Sequence, residues 1–289
     1  MLRHESKHNR YSLLDKLIGM RYSQPNGPRP PEEAGYVAGE ELSPQLRRLW
    51  RLPEPASKQG RPSSLDTDSV VLAAISLADR GGLEAATLPK VAVELGVTAM
   101  SLYRHVGSKQ ELLELMVDRA STPPTPREGA DSWRAALQDW ADQLWDLYYE
   151  RSWIVRVPVH GAPSGPNQLV WFERALAVFD DTDLTWPEKV GFCMVTSGHV
   201  RQSILLTQDL AAGRADAEEQ AESERRYGLV MRELVEPDRF PTLTSMFASA
   251  VFEGPEESSM TTARRDFHTG LTVILDGIAA RLGGRSAAT

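Results

Sequence analysis

A chain of 289 residues is long enough for two folded parts, one small and one of ordinary size. Its hydrophobic fraction of 41% supplies a real core, yet no run of 18 apolar residues is present to span a membrane, and no membrane partner is expected. The lone cysteine, Cys193, excludes a disulfide framework, and the start of the chain lacks a secretion-type apolar run, so the cytoplasm is the expected location. The net charge of −8 argues against a protein that coats nucleic acid, but the charge is uneven: residues 1–64 carry eleven Lys or Arg against seven Asp or Glu.

Residues 1–64 read as a mostly flexible, basic, Pro/Gly-rich extension. The stretches QPNGPRPPEE and LPEPASKQGRPSS are linkers, because each proline removes a donor and turns its predecessor away from helix. Two marginal helical pieces lie within this extension, around Tyr11–Met20 and Glu41–Trp50, apolar enough for one to dock on the body or on a partner subunit. Lys58 and Arg61 stand just ahead of the first domain helix, either as an arm that follows a DNA groove or as a solvated linker.

Residues 65–120 form a small helical domain. Leu65–Arg80 is an amphipathic helix with Val70, Val71, Ala74, Ile75, Leu77 and Ala78 on one stripe, ended by Gly81-Gly82. A short helix follows over Leu88–Leu95, with Thr87 as its N-cap, Pro89 in its first turn and Val91, Ala92 and Leu95 inward. Gly96 suits the left-handed position that ends a helix tightly. Thr98 caps the next helix, Ala99 to about His105, and Ser108 caps KQELLELMVDRA. The helix over Ala99–His105 has only Leu102 and Val106 to bury, so most of its residues face elsewhere. Ala99 and Met100 offer apolar contact to a thymine methyl, and Arg104 can donate to guanine or phosphate. Ser101, Tyr103 and His105 can bond phosphate oxygens, as can Lys109 at the start of the next helix. Thr87, Lys90 and Thr98 complete the candidate DNA-contacting set.

The stretch LYRHVGSKQELL resembles the signature of the tetracycline-repressor family, in which a recognition helix ends in Leu-Tyr-x-His and a lysine opens the next helix. The resemblance is strong over roughly Leu65–Arg119 and looser over 131–283, where the ending FHTGLTVILDGI is similar to a last dimerisation helix of that subgroup. It implies an all-α protein with a helix-turn-helix head and a larger helical domain over 131–283 for ligand binding and dimerisation. The implied partners are double-stranded operator DNA, a small-molecule effector and a second copy of the chain. Leu88 and Pro89, and Ala99-Met100 in place of the type repressor's Gln-Pro, depart from the family pattern and imply a different operator.

The second part reads as helices over Ser132–Glu150, Gln168–Phe179, Thr185–Ala211, Tyr227–Leu234, a weak Arg239–Phe252 and Met260–Leu282 closed by Gly283-Gly284, with a short segment Trp153–Val159 broken by Pro158. The acidic stretch ADAEEQAESERR is a polar lead-in. Candidate pocket residues are Trp145, Tyr148, His160, Gln168, Trp171, Phe172, Met194, Ser197, His199 and Gln202, which together suit a largely hydrophobic ligand. The same aromatic residues could simply fill a helical core. His199 suits a ligand contact, a satisfied core histidine or an interface equally. The helices over Thr185–Ala211 and Met260–Leu282 are the candidates for the dimer interface. No acid/His constellation calls for a metal, and no cofactor is expected. An all-α enzyme on an aromatic or acyl substrate is the competing reading, but no nucleophile elbow, HExxH, CxxC or phosphate-cradling loop is present. A third reading is an interaction module that keeps the helix-turn-helix shape without reading DNA.

Overall fold

The computed structural model describes residues 42–52, 65–125, 131–211, 217–252 and 259–286, and among them there are eleven α-helices and no strand. The chain divides into two compact units, residues 1–194 and 195–289, with the division inside one long helix. The first unit holds α1 (Pro44–Leu49), α2 (Thr67–Gly81), α3 (Leu88–Glu94), α4 (Ala99–Val106), α5 (Lys109–Ala120), α6 (Trp133–Glu150), α7 (Pro166–Ala177) and the start of α8 (Trp186–Ala211). The second holds the remainder of α8, α9 (Ala217–Leu234), α10 (Pro241–Phe247) and α11 (Ser259–Ser286). Single 3-10 turns occur at Leu83–Ala85, Ile154–Arg156 and Ala250–Phe252.

Local caps start the helices where the sequence places them. The Asp66 carboxylate accepts the Ser69 N–H at 2.7 Å, and hydrogen bonding from the Ser69 side chain, together with this N–H, holds its pKa below the usual aspartate range. Ser108 accepts from Glu111 N–H at 3.0 Å and Ser132 from Ala135 N–H at 3.2 Å. At α8 the Glu188 carboxylate reaches back to the Thr185 N–H at 3.0 Å and hydroxyl at 2.8 Å. Thr87 occupies the N-cap of α3 in extended conformation, but its hydroxyl makes no cap bond. Pro89 at the second helical position has no N–H to offer it.

The core of the first unit is built from Val70, Val71, Ala74, Ile75 and Ala78 of α2, Val91 and Ala92 of α3, Leu102 and Val106 of α4, and Leu112, Leu115 and Met116 of α5. Leu49 of α1 joins it, and so do Trp153, Ile154 and Val157 from the turn after α6. The helical piece expected around Glu41–Trp50 is present as α1, and it docks on that core because Leu46 and Leu49 supply an apolar face. The short segment that Pro158 interrupts is a wedge buried in the first domain, with Trp153, Ile154 and Val157 in its core.

In the second unit α9 begins at Ala217, ten residues before the expected Tyr227, since Ala, Glu, Gln and Arg are strong helix formers even without an apolar stripe. The ring of Tyr227 meets Phe247 and Phe252 edge-on at 5.8 and 5.5 Å. The helix α11 runs through Gly283-Gly284 rather than ending there, and buries Phe267, Leu271, Leu275 and Ile278 on one face. The expected helical piece around Tyr11–Met20 lies outside the described residues.

Candidate functional site

The turn between α3 and α4 closes with a Schellman motif. Gly96 has φ +65°, its N–H donates to Val93 C=O at 3.1 Å, and Val97 N–H donates to Ala92 C=O at 2.9 Å. Thr98 then caps α4, accepting from Ser101 N–H at 3.4 Å, while the Ser101 hydroxyl donates to Thr98 C=O at 2.6 Å. At the far end Thr67 of α2 donates to His105 C=O at 3.1 Å. Leu102 and Val106 are fully buried, which fixes the rotation of α4 about its axis.

That rotation decides what faces out. Met100 is 75% exposed and Tyr103 47% exposed, with Arg104, Thr98, Lys90 and Lys109 also exposed and Ala99, Ser101 and His105 half-buried. Thr87 is half-buried beside α3. Of the expected DNA-contacting side chains of α4 and the start of α5, Met100, Tyr103, Arg104 and Lys109 are thus accessible on and beside a helix held at both ends. Val93 of α3, absent from the expected set, is 82% exposed. Lys58 and Arg61 lie outside the described residues.

Behind α4 the first domain is fastened to the helices that follow. The carboxylate of Asp118 on α5 is buried and accepts the N–H groups of Asn167 at 2.9 Å and Gln168 at 3.1 Å, and the Asn167 amide at 3.3 Å. These are the second and third residues of α7; the first is Pro166 and the N-cap is Gly165, so Asp118 supplies the cap that α7 lacks. A Cβ at Gly165 would run into that carboxylate. Burial raises the Asp118 pKa above the usual aspartate range, outweighing the bonds from Gln168 and Asn167 and the nearby Arg51 charge that lower it. Trp153 Nε1 donates to Asp79 Oδ1 at 2.7 Å, Arg151 donates to Ala120 C=O at 2.9 Å, and Trp171 Nε1 donates to Ser121 C=O at 2.8 Å. Sequence reasoning missed this junction. Its one trace was a helix opening on Gly165-Pro166 with no Ser, Thr, Asp or Asn to cap it.

The residues expected to line a pocket have varied surroundings. Trp145 is buried and stacks on Tyr149 at 4.9 Å. Tyr148 packs against the core of the first domain, and Trp171 belongs to the junction, also accepting from Trp140 Nε1 at 2.9 Å. The Gln168 carboxamide faces the N–H groups of Ser164 and Gly165 at 3.4 and 3.5 Å, at the start of α7. Phe172 lines an outward groove with Trp50, Pro166, Leu169, Val170 and Glu173, and His160 is exposed in its loop. Met194 is half-buried. In the second unit Ser197 is half-buried, Gln202 is exposed, and His199 stacks on Phe267 at 5.4 Å with Nε2 2.9 Å from the Phe267 carbonyl oxygen.

Among the described residues no group of three or more His, Cys, Asp or Glu is placed to hold a metal ion, and no helix is long and apolar enough to cross a membrane. The Cys193 thiol is pushed up to about 12 by burial, which keeps it protonated and unreactive.

Comparison with known proteins extends the reading to both parts. Residues 70–116 match the family described as bacterial regulatory proteins, tetR family, and residues 125–282 match the tetracyclin repressor-like C-terminal domain. HTH-type transcriptional repressor DrrR1 of Streptomyces coeruleorubidus is 34% identical over 243 residues, covering 82% of this chain and 86% of the relative. An HTH-type transcriptional regulator of Saccharopolyspora erythraea is 32% identical over 131 residues, covering 45% and 54%. Among solved structures, ActR from Streptomyces coelicolor in complex with actinorhodin aligns with a TM-score of 0.63 at 24% identity, covering 76% of this chain and 100% of that one, a likeness of fold. With a helix-turn-helix head held at both ends, a matching C-terminal domain and a relative alike over most of its length, the chain belongs to the tetracycline-repressor (TetR) family of transcription regulators.

Proposed function

We propose that the chain is a cytoplasmic repressor that reads a two-fold symmetric operator as a homodimer and leaves it when a small, largely apolar molecule binds its C-terminal domain. The observation that carries this reading is the division of α4 into a buried pair, Leu102 and Val106, and an outward set of Met100, Tyr103 and Arg104. A methionine that is 75% exposed on an eight-residue helix gives the fold nothing, but in a major groove it meets a thymine methyl. In this reading the exposed Tyr103 and Lys109 bond phosphates and set register.

One such helix reads few base pairs, so two heads related by symmetry are needed for a specific site. On α8 the exposed Val195, Leu206 and Leu210 share a stripe with Gln202, and on α11 Val273 is 69% exposed; apolar surface of this kind calls for cover by a second copy. The aromatic pair Trp145 and Tyr149 favours a flat, apolar effector, and ActR, which shares the fold, has been solved with actinorhodin bound. Release requires the effector to favour one of two arrangements of the head. The Asp118 cap and the Arg151 and Trp153 bonds are the physical links that such a shift would load.

Selection of duplexes from a random library with the full chain, followed by titration at two salt concentrations, tests the reading. A palindromic site bound more weakly as salt rises is expected. Tyr103→Ala with Lys109→Ala lowers affinity by about tenfold or more and flattens the salt slope by about one, with an unchanged circular dichroism spectrum. Failure to enrich any sequence, or unchanged affinity in the double variant, overturns it.

A further inference from the structure

The helix α1 precedes the family match, which begins at residue 70, yet it is bound to the part of the head that would read DNA. Ser43 caps it at Leu46 N–H, 3.2 Å away, and Leu49 is 3% exposed in the core. Gln45 donates to Glu114, and Arg51 pairs with Asp68 on α2 at 2.7 Å. Arg48 forms a two-pronged pair with Glu111 on the first turn of α5: Nε meets one carboxylate oxygen, and Nη2 meets the other at 3.0 Å.

The place of that pair is what gives it consequence. Gly107, with φ +63°, ends α4, and the position its Cβ would take is filled by the Glu111 carboxylate, with Arg48 Nη2 at 2.9 Å. The guanidinium thus sits at the C-terminal, negative end of the α4 dipole, where a cation is favoured. Glu111 is 7% exposed, and a carboxylate so placed depends on its partner. Two residues on from Arg48, at the C-cap of α1, Trp50 Nε1 donates to Ser164 C=O at 3.0 Å, just before the α7 start that Asp118 caps. The last turn of α1 and its C-cap residue therefore touch both the end of α4 and the residue before the α7 N-cap.

We propose that Arg48 is a positioning residue for DNA reading: through Glu111 it fixes the exit of α4 and the entry of α5, and so the pose of Tyr103 and Lys109. The proposal rests on the DNA-reading assignment above. It makes Arg48 act from behind the recognition helix, without touching phosphate.

The test uses the full chain and the duplex selected by the wild type, with affinity measured well below the melting temperature of each variant and over a range of salt. Arg48→Ala binds roughly tenfold more weakly, because it leaves Glu111 buried without its partner. The slope of log affinity against log salt is unchanged, since no phosphate contact is lost. Arg48→Ala with Glu111→Gln recovers much of the loss, because the stranded charge is gone. A slope reduced by about one shows Arg48 to be a phosphate contact and overturns the proposal. So does an Arg48→Ala protein that melts earlier but, when folded, binds like wild type, or a double variant no better than the single. A wild-type chain that enriches no sequence overturns the DNA-reading assignment itself, and this proposal falls with it.

Discussion

Replacing Asp118 isolates the junction between the head and α7. Its Oδ1 accepts from Asn167 and Gln168 N–H at 2.9 and 3.1 Å, and the remaining orphan donor, Gly165 N–H, faces the Gln168 carboxamide, while Pro166 has none. Asp118→Ala leaves both donors of the first turn without a protein acceptor. Loss of a cap costs about 0.5–2 kcal/mol and an unsatisfied buried donor about 1–3 kcal/mol. Asn167 and Gln168 are half-buried, so water recovers part of this, and about 2–3 kcal/mol is expected in all. Asp118→Asn keeps an oxygen for the two N–H groups and removes a buried charge, so it stays within about 1 kcal/mol of wild type, with the Asn167 amide turned to offer its oxygen.

The two variants also differ with pH. Burial raises the folded-state pKa of Asp118 above its unfolded value, so the native chain holds the proton more tightly. The resulting stability is fullest below the ordinary aspartate value and is lost as pH rises through the raised one. Asp118→Asn removes that contribution. Urea unfolding followed by tryptophan fluorescence, repeated across the acidic range, measures both effects. An Asp118→Ala protein as stable as wild type, or an Asn variant as damaged as the Ala variant, refutes the capping account.

Gly165→Ala drives a methyl into the Asp118 carboxylate and lowers stability by about 1–3 kcal/mol in the same urea assay. In the Asp118→Ala background the same methyl has room and costs less, so a purely additive result contradicts the assigned clash. Cys193, with its pKa pushed up to about 12, reacts with a thiol reagent at pH 8 far more slowly in the native chain than after denaturation. Equal rates before and after unfolding would remove it from the buried face of α8.

What was legible in the sequence was carried by local signals. The stripe of α2, the Gly96 turn and the Thr98 and Ser108 caps depend on neighbours within four residues, and the helices form as those neighbours dictate. The junction depends on partners far apart in sequence. Nothing near Asp118 marks a carboxylate that caps a helix 49 residues onward, and nothing near Trp153 marks a ring donating to Asp79, 74 residues back. α1 was legible only as a marginal helix, since a six-residue helix flanked by prolines has little stability of its own. Its bonds to α2 and α5 supply the rest. Trp171 and Gln168 suit a pocket because an apolar wall beside a polar group suits a ligand, and a junction selects the same chemistry. The outward face of α4 was readable because so short a helix has only two residues to bury.

The wedge formed by Trp153, Ile154 and Val157 bears on how the chain comes off the ribosome. The head's helices are all made by Ala120, yet their core still lacks three of its members. At about 5–20 residues per second, several seconds of synthesis separate the last head helix from the tryptophan that fills the gap. Through that interval the head presents an open apolar cleft to chaperones. The same timing limits recombination: a head joined to a foreign C-terminal domain would carry the cleft permanently unless the new partner brought its own wedge.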